Sequence, residues 1–388
     1  MAEKANNTAA DKVSGQTYAI FSGHSGGHLY PALAFAESLR KKCPQARIHL
    51  ISSKKARPFV ARMAPGIFDE VHLIREFPLP SGISLNLVRF LLELPLAFFE
   101  TWKYFQNACP DICIGFGSYV SYPGIVLGSL KKIPCLIHEQ NLLPGKATRS
   151  LVRHADCVAV SFEPTFASAR IQNRIVTGLP LRSVFWEKAH DRLHEKKVDS
   201  FFHKNMFQIL VAGGSQGAHR LNEIFLSAIG LLSDEEKAEI AVNHITGKQD
   251  LESVAGAYKK MKVQYEAYSF FDGMHELYAK ADMAVSRAGA SSLHELALFG
   301  LPAVIVPYPH AGSHQQANAD YYGARGAALV KDENGLSAEW LAEKIQNLKR
   351  DPAFRYQLSK NISELASADA AERLVMAAEE LLRQKRGL

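Results

Sequence analysis

The feature that most constrains this chain is a local plan that occurs twice. Thr17–Phe21 leads into Ser22-Gly-His-Ser-Gly-Gly-His28 and the helical pattern Ala32–Lys41. Gln208–Val211 leads into Ala212-Gly-Gly-Ser-Gln-Gly217 and the pattern around Leu221–Ile229. Each is a strand, a glycine-rich turn and a helix, the opening unit of a doubly wound α/β domain. Two such openings in 388 residues, a length too great for one core, predict two Rossmann-like domains in tandem. Apolar runs at Ile48–Ser52, Ile112–Gly115, Cys135–His138 and Cys157–Val160 fit parallel strands buried on both faces. So do Ala241–Ile245, Val263–Ala267, Met283–Ser286 and Ala303–Val306 in the second half. The boundary is expected at Gly178: a tail over 1–16, an N-terminal domain over 17–178, a C-terminal domain over 179–365 and an amphipathic helix over 366–388. Two destinations are open to that helix, a cap on the second domain or a brace on the first.

Composition narrows the function classes. With 47% hydrophobic and 22% charged residues the chain is globular, with little room for disorder. The net charge of +6 suits a phosphate-bearing substrate or an anionic lipid surface if it gathers on one face. No basic stripe interleaved with aromatics is present, so nucleic acid is not an expected partner. Five cysteines without a C-x-x-C pair read as free thiols. The polar stretch Met1–Gln16 lacks the apolar core of a signal peptide. The most apolar segment, Ile83–Phe105, contains Asn86, Arg89, Glu93, Pro95, Glu100 and Lys103, too many polar residues for a membrane span. Its Leu87, Phe90, Leu91, Leu94, Phe98, Phe99, Trp102 and Phe105 leave an interfacial helix and a buried core helix both open.

Glycine-rich turns ahead of helices expose backbone N–H groups to a phosphate, though a tight βα turn needs the same glycines. Neither turn carries the Gly-Lys-Ser/Thr of a P-loop or a clean G-x-G-x-x-G. In Ser286-Arg-Ala-Gly-Ala-Ser-Ser-Leu-His-Glu295, small residues admit a ligand to the backbone, and Glu295 can accept two ribose hydroxyls or serve only its own helix dipole. Gln315 and Gln316, past the end of a strand, offer amides to sugar hydroxyls. His138-Glu-Gln-Asn141 and Gly115-Phe-Gly-Ser-Tyr119 place polar groups after two strands of the first half. His24 and His28 lack nearby partner ligands and no Asp-x-Asp occurs, so neither a metal nor another cofactor is expected.

These motifs, in this order, resemble the MurG family of bacterial transferases. The resemblance runs from about Tyr18 to Val330 and rests on Gly23–His28, Gly115–Pro123, His138–Asn141, Gly178–Arg182, Gly213–Gly217, Thr246–Gln249, Arg287–Glu295 and Val306–Asn318. It implies a GT-B fold, two Rossmann-like domains facing each other across a cleft. It also implies inverting transfer of N-acetylglucosamine from UDP-N-acetylglucosamine to lipid I, giving lipid II at the cytoplasmic face of the bacterial plasma membrane. By resemblance, Arg182, Ser215, Phe271, Ser292, Glu295, Gln315 and Gln316 contact the donor, joined by Ser25, Gly26 and Asn141 from the acceptor-side loops. His28, Tyr119 and Arg153 fall on the acceptor side, with His28 either the base or a ligand of the acceptor diphosphate. The chain departs from the family at His24 and Ser291, where Gly and Leu are usual, and at Gly178-Leu-Pro-Leu-Arg182, which loses an Asn. Two other readings remain: a GT-B transferase with another lipid acceptor such as diacylglycerol, and a non-catalytic UDP-sugar-binding protein.

Overall fold

The structure, a computed structural model, describes residues 15–63, 66–77, 85–169, 171–195, 206–214, 217–309 and 313–387. The chain forms two compact units, one of Met1–Ser183 with Asp369–Leu388 and one of Val184–Ala368. The division therefore follows Ser183 and not Gly178, which puts Arg182 in the first unit.

The first unit runs β1 (Thr17–Phe21), α1 (Gly26–Lys42), β2 (Arg47–Ser53), α2 (Arg57–Met63), β3 (Glu70–Ile74), α3 (Leu85–Ala108) and β4 (Ile112–Gly115). It continues through α4 (Ser121–Leu130), β5 (Cys135–Glu139), α5 (Lys146–Leu151), β6 (Cys157–Val160) and β7 (Arg174–Val176). Its seven strands are ordered β3-β2-β1-β4-β5-β6-β7. All pair in parallel, as apolar runs buried on both faces require. Alternation divides β1 between two cores: Tyr18 and Ile20 pack with Phe35 and Leu39 of α1, while Ala19 and Phe21 pack with Tyr104 and Phe105 of α3.

The second unit opens with α6 (Ser183–Glu195), whose first residue closes the first unit, then β8 (Phe207–Ala212), α7 (His219–Gly230), α8 (Asp234–Ala238), β9 (Ile240–Ile245) and α9 (Leu251–Met261). It goes on through β10 (Gln264–Tyr268), α10 (Met274–Lys280), β11 (Met283–Ser286), α11 (Ala290–Leu298), β12 (Ala303–Ile305), α12 (His314–Gly323) and β13 (Leu329–Val330). After α13 (Ala338–Arg350) and α14 (Pro352–Ser363), α15 (Ala370–Arg386) leaves this unit. The six-stranded sheet is ordered β10-β9-β8-β11-β12-β13.

α15 braces the first unit. Leu374, Val375, Ala378, Leu381 and Leu382 form one apolar stripe and pack into the core beside α1. At the edge of the stripe, buried Glu379 accepts from Lys42 Nζ at 2.5 Å and from the Cys43 thiol at 3.4 Å. Burial and that carboxylate push the Cys43 thiol up to about 11.

α3 is apolar on two faces. Ala97, Thr101, Tyr104 and Phe105 are buried against the sheet, whereas Leu91, Leu92, Leu96, Phe99 and Trp102 are 42–64% exposed. On its flank, Glu100 accepts the backbone N–H of Arg75 at 2.8 Å and its Nε at 2.9 Å. Among the described residues no helix is long and apolar enough to cross a membrane. Ile83 lies outside the described residues.

Candidate active site

Each strand order reverses once, between β1 and β4 and again between β8 and β11. Crevices at the carboxyl ends of strands, where such an order reverses, are where open α/β sheets bind ligands. Both glycine-rich loops lie at these points.

In the first unit, α1 begins at Gly26 behind its N-cap Ser25, with no acidic residue in its first turn. The Ser25 hydroxyl does not cap the helix; its Oγ lies 2.7 Å from Nδ1 of His28. The leading N–H groups of the helix thus remain directed out of its positive end. His28 is held between two glycine backbones. A methyl group on Gly23 would lie 2.6 Å from Ser118 Cβ and 3.2 Å from His28 Nδ1; one on Gly117 would lie 2.9 Å from His28 Cδ2. Burial of the ring, helped by His24, lowers its pKa to about 4. The residue as a whole is half-buried, so the ring is neutral near pH 7 yet reachable.

The other residues expected here divide into those near His28 and those that support it. Gln140 donates to the Phe116 carbonyl at 3.1 Å, and Glu139 accepts the N–H groups of Asn141 at 3.0 Å and Gly145 at 3.1 Å. His138 Nε2 lies 3.1 Å from the Gly178 carbonyl. This motif therefore ties the loops after β4, β5 and β7 together, and Asn141 is positioned by Glu139. Tyr119 packs on Phe77, which packs on Phe90 of α3, with ring centroids 6.0 and 5.8 Å apart. Arg182 stacks over Tyr30 of α1 at 4.7 Å, and a methyl on Gly26 would lie 3.1 Å from the same ring. Arg153 is exposed beyond α5, its Nε 3.1 Å from His154 Nε2. His24 turns to Glu76, with Nδ1 3.0 Å from Oε1, and Lys55 reaches the other oxygen at 3.0 Å.

In the second unit the glycines serve backbone geometry. Gly214 and Gly217 have φ of +93° and +81°, and a methyl on Gly217 would lie 2.6 Å from the Thr246 carbonyl oxygen. Ser215, between them, lies outside the described residues. Glu295, on α11, accepts from the Tyr278 hydroxyl at 2.9 Å. That hydroxyl also bonds Ser292, and burial with the neighbouring carboxylate holds Tyr278 far above the usual phenol range. Gln315 accepts the N–H groups of Ala288 at 3.2 Å and Tyr308 at 2.9 Å, linking the loops after β11 and β12. Its oxygen is thereby occupied. Gln316 donates to Asp320 at 2.9 Å and lines a cavity of about 390 Å³ with Tyr308 and Lys331. Phe271 packs at a tilt on Tyr268, with centroids 4.6 Å apart.

Several residues that hold this site escape a reading of the sequence. Arg287 forms a buried ion pair with Glu333 and donates to the Val306 carbonyl at 3.2 Å, fixing the loop that carries Tyr308. Asn318 donates to the Ala288 carbonyl at 3.1 Å. Asn222 donates to the Thr246 carbonyl at 2.9 Å and to Asp250 at 2.7 Å, and its Oδ1 lies 3.0 Å from Nε2 of His244. Arg287 and Asn318 carried a signal, each standing in a motif with a candidate site residue, but neither motif showed what its side chain would hold.

Two doubly wound units with glycine-rich loops at both switch points are the GT-B architecture. Residues 18–160 match the glycosyltransferase family 28 N-terminal domain and residues 208–374 its C-terminal domain. The UDP-N-acetylglucosamine--N-acetylmuramyl-(pentapeptide) pyrophosphoryl-undecaprenol N-acetylglucosamine transferase of Geobacter sulfurreducens is 34% identical, the alignment covering 92% of this chain and 96% of that one. The protein of the same name from Desulfotalea psychrophila is 35% identical, over 94% and 96%. The crystal structure of Acinetobacter baumannii MurG superposes with a TM-score of 0.72 at 25% identity, over 94% of this chain and 99% of that one. The chain belongs to glycosyltransferase family 28, and within it to the MurG transferases.

Proposed function

We propose that the chain transfers N-acetylglucosamine from UDP-N-acetylglucosamine to lipid I, with inversion at the anomeric carbon, giving lipid II and UDP. The observation that carries this reading is the neutral imidazole of His28, held at a switch point beside a helix N-terminus that has no anion of its own. With Nδ1–H donated to Ser25, the Nε2 lone pair accepts the proton of the attacking acceptor hydroxyl as the bond to UDP breaks. Burial keeps the ring unprotonated in the free protein near neutral pH, as a general base requires. The acceptor diphosphate is received by the first-turn N–H groups of α1, and Arg182, over the neighbouring Tyr30, supplies charge to the leaving diphosphate of the donor. In the second unit Glu295 takes the ribose, Gln315 and Gln316 the sugar, and Ser215 with the loop N–H groups the leaving diphosphate. Phe271, Ser292 and Asn141 complete the donor contacts, Tyr119 the acceptor contacts.

We infer peripheral attachment to the cytoplasmic face of the membrane; the exposed ridge Leu91, Leu92, Leu96, Phe99 and Trp102 supports the attachment. Lys103 on the same helix, with Arg149 and Arg153, supplies attraction for anionic lipid. The aromatic contacts Phe90–Phe77–Tyr119 carry the helix to the acceptor loop. Phe99→Ser with Trp102→Ser should lower co-sedimentation with anionic vesicles roughly tenfold or more, while Phe98, packed on Tyr122, serves folding.

The decisive assay mixes the chain with UDP-N-acetylglucosamine and lipid I, with and without chelator. UDP and a disaccharide lipid should appear together, at a rate the chelator leaves unchanged. Transfer to diacylglycerol and not to lipid I would favour a transferase of another lipid, and no UDP release would leave a binding protein.

A further inference from the structure

The sheet edge carries a cluster that the transfer reaction does not use. His49 on β2 pairs in register with Glu70 on β3, and His72 stands two residues on from Glu70, so all three project from one face. One ligand atom from each lies within 4.8 Å of the other two. His49 is buried, and its Nδ1 lies 3.1 Å from the Tyr104 hydroxyl of α3, which leaves Nε2 for a further bond. His72 Nε2 is 2.7 Å from Glu70 Oε2. A cavity of about 370 Å³ opens beside them, with Lys54 and Lys103 among its lining residues.

We propose that His49, Glu70 and His72 form a binding site for a divalent transition metal, zinc foremost. Two imidazoles and one carboxylate are a ligand set that zinc accepts with a fourth position left open. Bond lengths of about 2.0–2.1 Å require the ligand atoms to close up, which rotation of the exposed Glu70 and half-exposed His72 side chains can supply. The Tyr104 hydroxyl orients the buried imidazole, as groups behind metal-bound histidines do. The cavity gives the fourth position to solvent, and its lysines favour an anion there. Because β3 is the outermost strand, the ion would fasten that edge to β2 beneath α3. The cluster lies toward the amino end of β3, away from the carboxyl-end loop of His28.

The test uses the untagged full chain, freed of metal by chelator and dialysis, then titrated with Zn²⁺ and separately with Co²⁺ as a spectroscopic probe. One equivalent should bind, with tetrahedral cobalt bands in the visible and slower amide exchange over residues 70–74. His72→Ala, folded by circular dichroism, should abolish the bands and weaken zinc binding roughly a hundredfold. Tyr104→Phe should weaken it by about 10- to 100-fold with the bands retained. Transfer activity should not change with zinc in the wild type or in His72→Ala. No stoichiometric binding below about 100 µM, or equal binding by the wild type and His72→Ala, would overturn the proposal, leaving the cluster an ordinary ion pair.

Discussion

In the first unit the glycines at 23 and 117 stand beside an imidazole; in the second, Gly217 stands beside a carbonyl oxygen. The first pair lacks side chains so that His28 can enter between two loops. Gly217 lacks one so that the chain can turn at positive φ against Thr246. Each unit also keeps a histidine neutral by burial. His28, half-buried in its loop, is held at about 4, whereas His244 is held at about 3, sealed between Tyr258 and Asn222. One switch point thus presents a neutral imidazole, and the other a turn fixed by glycines at positive φ. That division of labour suits a reaction in which one substrate loses a proton and the other loses a diphosphate.

The comparison breaks most sharply at His28. His28→Ala should lower kcat by about 10²- to 10⁴-fold, the range of a lost general base, with UDP-N-acetylglucosamine binding nearly unchanged by calorimetry. Lost donor binding at full turnover would reverse the roles given to the two loops. The next largest effect tests the glycines. Gly217→Ala meets a carbonyl oxygen at 2.6 Å with φ at +81°, and should cost about 3 kcal/mol in donor affinity through distortion of the loop. Gly26→Ala meets only the ring of Tyr30, which can rotate away, and should change the acceptor KM only a few-fold. Equal effects from the two substitutions would erase the distinction between a backbone cradle and a side-chain pocket.

The buried strands were legible because doubly covered parallel strands are nearly continuous apolar runs. β3, β7 and β13 were not: Glu70–Ile74 is an edge strand with mixed polarity, and the other two span only Arg174–Val176 and Leu329–Val330. Periodicity gave α15 an apolar stripe without saying which core receives it, since any apolar core would do. The same ambiguity blurred α3. Leu91, Phe99 and Trp102 are exposed as an interfacial helix needs, but Phe105 is core, and Leu92 and Leu96 belong to the exposed ridge. In the site, motif residues such as His28 and Glu295 were visible beside their glycines. Arg287 and Glu333, separated by 46 residues, were not visible as a pair, because no local pattern encodes a contact that only the sheet brings about.

A further expected effect concerns the two neutral histidines and is read as stability against pH. Both have folded-state values below the 6.5 of an unfolded histidine. As pH falls below about 6.5 the unfolded chain takes up these protons first, so stability is lost on acidification, fully present above 6.5 and declining toward the folded values. Between pH 6.5 and 5 a sealed histidine contributes a loss of about 2 kcal/mol. His28, being half-exposed, contributes less. Amide exchange over β8 and β9, corrected for its intrinsic pH dependence, should therefore show a steeper acid loss than over β1 and β4. His244→Gln, which keeps an amide between Asn222 and Tyr258, should flatten the second unit's slope and leave the first unit's unchanged. An unaltered slope in that variant would mean that His244 is not the group that titrates, and the contrast between an accessible and a sealed imidazole would fail.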